Sequence, residues 1–74
     1  MIDGVVRIRE DAGWRLTWPH GGDETHPTAA DALEAVRGMG MVLARAGKSS
    51  AFTVEWEPTT AIGRQVVNVL RGAP

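Results

Sequence analysis

Two stretches of this chain alternate apolar and polar side chains strictly enough to set its fold class: Trp14-Arg15-Leu16-Thr17-Trp18 and Phe52-Thr53-Val54-Glu55-Trp56-Glu57. A period of two sends successive side chains to opposite faces of a strand, so each stretch has one apolar and one polar side. Val5-Val6-Arg7-Ile8-Arg9-Glu10 is β-branched and partly alternating, and Asp11-Ala12-Gly13 supplies a turn before Trp14, which predicts a β-hairpin. In a common sheet, Val6, Ile8, Trp14, Leu16, Trp18, Phe52, Val54 and Trp56 share one face. Arg7, Arg9, Arg15, Thr17, Thr53, Glu55 and Glu57 share the other. Only the first face offers helices an apolar surface.

Thr28-Ala29-Ala30-Asp31 has the outline of a capping box and opens a helix. Leu33, Val36, Met39 or Gly40, and Leu43 follow at spacings of three and four, with Ala29 and Ala32 widening the stripe and Gly47 closing it. Pro19 to Pro27, with Gly21 and Gly22 inside, reads as an exposed loop. A third strand covers Ser50–Glu57 and stops at Pro58. Thr59 or Thr60 then caps a second helix running to about Arg71, with Ile62, Val66, Val69 and Leu70 as its buried stripe and Gly72 at its end. The expected fold is α+β: a two-layer sandwich of a three-stranded sheet with two helices on one face, order ββαβα, as a single domain over 1–74. A helix joining the strands at 14–18 and 50–57 favours a parallel, right-handed crossover between them. The place of the first strand in the sheet is left open.

With 74 residues, one phenylalanine, no tyrosine and three tryptophans, the core is marginal, and a partner surface or a second copy is a natural supplement. The absence of cysteine removes a disulfide framework and a thiolate zinc site, so the default compartment is the reduced cytoplasm. No apolar run approaches the roughly 20 residues of a membrane span, and Met1-Ile2-Asp3-Gly4 lacks the basic and apolar regions of a signal peptide. Residues 1–37 hold seven acids and four bases (−3) and residues 38–74 two acids and four bases (+2), a balance without the basic excess of a typical nucleic-acid domain. Seven of the eight basic residues are arginine, and alanine, glycine and valine are abundant, a usage that points to a GC-rich genome.

Chemistry-bearing constellations are weak. His20, Asp23, Glu24 and His26 combine imidazole and carboxylate in one stretch, but the spacing matches no metal motif and the two glycines leave the ligands without a rigid scaffold, so no metal is assigned. Gly47-Lys48-Ser49-Ser50 superficially matches the end of a phosphate-binding loop. It has Val42 where that loop needs glycine, and it closes a helix where the loop should open one. Ser49 and Ser50 are the only serines, remote in sequence from both histidines, and Glu55 and Glu57 face arginines as cross-strand ion pairs. So short a chain also leaves little room for a pocket of about 300 Å³. No catalytic residue, cofactor or metal is therefore assigned, and the chain is not expected to be an enzyme.

Binding is the remaining class. Trp18 and Trp56 lie at strand ends, where a ring edge can serve as an anchor. Gly38-Met39-Gly40-Met41 places two costly glycines inside a helix, which implies close approach of another backbone, either internal or in a second subunit. These six residues are the expected partner-binding set. Arg64, Gln65, Asn68 and Arg71 would form one polar stripe on the second helix, with side chains suited to base edges, and they carry the alternative of a nucleic-acid-binding regulator. The tryptophan-rich hairpin followed by an alanine-rich helix resembles the arm-binding domains of phage integrases over about half the chain. Those domains place three strands before one helix, a departure from the order expected here, and no function is carried over. The leading expectation is a small non-enzymatic protein-binding module, an accessory or phage-encoded regulatory factor acting through a protein partner or a homodimer, with no membrane role.

Overall fold

A computed structural model of the protein describes residues 1–57 and 63–72. The chain forms β1 (Ile2–Glu10), β2 (Trp14–Thr17), β3 (Asp23–His26), α1 (Ala29–Arg45), β4 (Ser50–Glu57) and β5 (Arg64–Val69). The strands make one mixed sheet in the order β3-β2-β1-β4-β5. β1 and β4 are parallel neighbours, with Val6 beside Val54 and Ile8 beside Trp56; the other three pairings are antiparallel.

This corrects the expected three-stranded sheet with two helices in the order ββαβα. Asp23–His26, read as loop, is a strand paired with β2, Trp14 opposite His26 and Leu16 opposite Glu24. Its polar sequence hides the strand because an edge strand needs only one half-buried side. Glu24 and His26 supply that side. The second correction concerns 64–69, read as helix. Val66, Val69 and Leu70 sit at spacings compatible with a helix, but three of the four residues 66–69 are β-branched valines and the segment pairs along β4, Val67 opposite Phe52 and Val69 opposite Ser50. Thr59, Thr60 and Ile62, assigned to that helix, and Pro58 lie outside the described residues. The crossover is corrected too: it leaves β3 and returns to β4, and β1 lies between β2 and β4. Three strands thus precede α1, and β4 and β5 follow it.

The first hairpin and the first helix form as expected. A three-residue turn joins Glu10 to its partner Trp14, with Ala12 at φ +52° and Gly13 at φ +124°. Thr28 caps α1, its hydroxyl accepting from the Asp31 N–H at 3.0 Å. Gly47 in the left-handed region ends it in a Schellman motif: the Lys48 N–H reaches the Leu43 carbonyl at 2.8 Å and the Gly47 N–H reaches that of Ala44 at 3.0 Å.

The two sheet faces divide as the alternation requires. Val6, Ile8, Leu16, Phe52, Val54 and Trp56 are buried beneath α1 with Ala32 and Val36, and Trp14 and Trp18 pack at the margin. Trp14 meets Trp56 edge-on at 5.9 Å, and Trp18 meets Phe52 in the same way at 6.1 Å. α1 touches all five strands. Its buried line is Ala32, Val36, Gly40 and Ala44, four residues apart, so small side chains let one helix lie close across the sheet. On the opposite face Glu55 joins Arg7, at 3.6 Å, and Arg64, while Asp11 lies 3.5 Å from both Arg9 and Arg15. Among the described residues no helix is long and apolar enough to cross a membrane.

Candidate functional site

The two edges of the sheet differ in kind. β3 is four residues long, carries Asp23 and Glu24, and its half-buried side is tied in by the Trp18 indole N–H, which donates to Glu24 Oε1 at 3.1 Å. A short, acidic edge of this sort resists strand addition. β5 is six residues long and holds three valines and one charge. That charge, Arg64, is already paired with Glu55. Among the described residues nothing pairs with the outer side of β5.

The register shows which backbone groups this edge presents. The Trp56 N–H donates to the Gly63 carbonyl at 3.0 Å, so the inward-facing positions beyond it are Gln65, Val67 and Val69. In an antiparallel ladder the residues between them turn their N–H and C=O away from the neighbour. Arg64, Val66 and Asn68 therefore direct backbone donors and acceptors outward, without a partner among the described residues. Val66 is 63 % exposed and Leu70 62 % exposed. On the helix side, Leu33, Met41 and Val67 line an open groove of about 580 Å³ between α1 and β5, with Glu34 and Arg37 at its helical rim.

The expected partner-binding residues scatter. Trp56 is only 3 % exposed, its ring in the core and its indole N–H donating to Gln65 Oε1 at 2.8 Å. Trp18 is half-buried and bonded to Glu24. Gly38 is exposed with open space around it, and Met39 is exposed. Gly40 faces inward: a Cβ there would stand 2.6 Å from Val69 Cγ2 and 3.1 Å from Ser50 Oγ, so the close neighbour implied by this glycine is β5 and the start of β4. Of the six, Met41 lies on the groove.

The polar stripe expected on a second helix does not form. In β5, Arg64 and Asn68 point to the open face and Gln65 to the helix face, and Arg71 follows in a turn, its N–H donating to Ser49 Oγ at 2.9 Å. The arginines of the open face have acids for neighbours, Arg15 lying 4.0 Å from Asp23 as well as beside Asp11. In β3 the alternation sends Asp23 to one face and Glu24 and His26 to the other, with His20 in the preceding turn. Among the described residues no three His, Asp or Glu side chains are grouped to hold a metal.

Gly47-Lys48-Ser49-Ser50 closes α1 and enters β4. Ser50 is fully buried beneath the helix. The groove is larger than so short a chain was expected to afford, yet its lining is chiefly aliphatic. Sequence reasoning placed Val66 and Leu70 in a buried helical stripe and Leu33 in the helix core, and so did not assign Val66 to an outer strand edge or Leu33, Glu34, Arg37 and Val67 to the groove beside it. The run of valines was the available signal, since β-branched residues favour a pleated surface over a helix. No protein-family model, curated protein or solved structure matches this chain.

Proposed function

We propose that this chain is a small non-enzymatic protein-binding module whose recognition element is the outer edge of β5 with the groove beside it. The observation that carries the reading is the contrast between the two edges: β3 is short and acidic, whereas β5 is longer, valine-rich and presents outward backbone groups at Arg64, Val66 and Asn68 that no described residue pairs with. An added strand takes its affinity from main-chain hydrogen bonds and its selectivity from alternate side chains, here seated toward Leu33 and Met41. The acids paired with the open-face arginines and the loss of the helical polar stripe favour this over the nucleic-acid alternative. The absence of cysteine fits a cytoplasmic setting.

The test is affinity capture from the native host, with and without nuclease, by wild type and by Val66→Pro. Proline at 66 removes an outward N–H and leaves the ladder to β4 intact, as edge strands tolerate. Nuclease-resistant capture, or self-association, that disappears in Val66→Pro supports the reading. Capture unchanged by the substitution, or abolished by nuclease, contradicts it.

A further inference from the structure

We infer that the occupant of this edge is a second copy of the same chain, paired β5 to β5 in antiparallel fashion about a twofold axis at Val66; the inference rests on β5 being the docking edge. Three features of the chain support self-pairing over a foreign strand. The first is register. With Val66 opposite Val66 of the partner subunit, the outward groups of Arg64, Val66 and Asn68 meet their counterparts as hydrogen-bonded pairs. Arg64 then faces Asn68 of the partner subunit and Asn68 faces its Arg64, so the one charged residue of β5 never meets itself.

The second feature is the open-face row in which Val66 sits. Val5, Thr53 and Val66 are aligned across β1, β4 and β5, and Val5 and Val66 are 41 % and 63 % exposed. The twofold axis joins this row to its copy, making one unbroken β-branched ladder from two exposed ends. The third feature is on the helix side. Glu34 and Arg37, one turn apart on the groove rim, present opposite signs, so a twofold copy offers each the complement of itself. The product is a ten-stranded sheet with both helices on one face and the two acidic β3 edges outermost. Such closure removes the unprotected edges and enlarges a core that is marginal in a 74-residue chain.

Sedimentation or light-scattering mass, measured on the full chain up to roughly 1 mM, tests the inference with four proteins. Wild type is expected at twice the 7.9 kDa chain mass. Val66→Pro, and Val66→Lys, which sets like charges on the axis without touching the core, are expected at the monomer mass with unchanged circular dichroism. The chain has no cysteine, so Val66→Cys is expected to form a disulfide-linked dimer under mild oxidation while Thr25→Cys, on the opposite edge, does not. Wild type that stays monomeric to the highest concentration overturns self-pairing; if Val66→Pro still abolishes partner capture, the docking edge stands without it. A wild-type dimer that survives both Val66→Pro and Val66→Lys overturns the self-pairing and the docking edge together.

Discussion

Gly38 and Gly40 are two residues apart in α1, and alanine at each has opposite expected consequences. An exposed glycine inside a helix costs about 1 kcal/mol relative to alanine. Gly38 has open space around a would-be Cβ, so Gly38→Ala is expected to stabilise by about that amount. At Gly40 the same gain is opposed by contact: the new Cβ would lie 2.6 Å from Val69 Cγ2 and 3.1 Å from both Val69 Cβ and Ser50 Oγ. Val69 is β-branched and buried in β5, so it has little freedom to turn aside. Overpacking of this kind costs roughly 1–3 kcal/mol.

The helix-propensity gain is common to both variants, so their difference isolates the contact, and Gly40→Ala should be the less stable by about 1–3 kcal/mol. At about 4–8 °C per kcal/mol for a domain of this size, thermal denaturation resolves the gap easily. Adding Val69→Ala to Gly40→Ala should recover part of the loss, a coupling that a double-mutant cycle measures. Equal stabilisation by Gly38→Ala and Gly40→Ala would refute the reasoning, because it would mean that α1 does not lie against β5.

Other substitutions have simpler expectations. Thr28→Ala removes the side-chain acceptor for the Asp31 N–H and should cost about 1 kcal/mol in a denaturant titration. Ala12→Gly should stabilise by roughly 1 kcal/mol, since Ala12 holds the left-handed conformation in the hairpin turn; a loss of stability would argue against that turn geometry. Glu55→Gln removes the charge between Arg7 and Arg64 and should cost less than about 1 kcal/mol, diminishing in high salt because both arginines are exposed.

The sheet faces were legible because alternation is a local signal: Trp14 to Trp18 and Phe52 to Glu57 state which side is buried without reference to the rest of the fold. The helix at 29–45 was legible at both ends because Thr28 and Gly47 have backbone roles that few other residues fill. β3 was not, since Asp23-Glu24-Thr25-His26 has no apolar period and becomes a strand by pairing with β2. β5 was misread because spacings of three and four among Val66, Val69 and Leu70 imitate a helical stripe. What decides between the readings is the free edge of β4, a tertiary partner that the local pattern does not contain. The candidate site went unseen for the same reason: it consists of the unpaired side of that strand. Of the two helix glycines read as a place of close approach, Gly40 meets Val69 and Ser50 within the chain, whereas Gly38 has open space around it.

Residue-resolved amide hydrogen exchange along 64–69 tests the docking edge most directly. In dilute protein the amides of Gln65, Val67 and Val69 should be protected by β4, while those of Arg64, Val66 and Asn68 exchange freely; raising the concentration should protect the second set as well. Consecutive protection along the segment in dilute protein, as a helix gives, or equal exchange at all six positions would contradict the account.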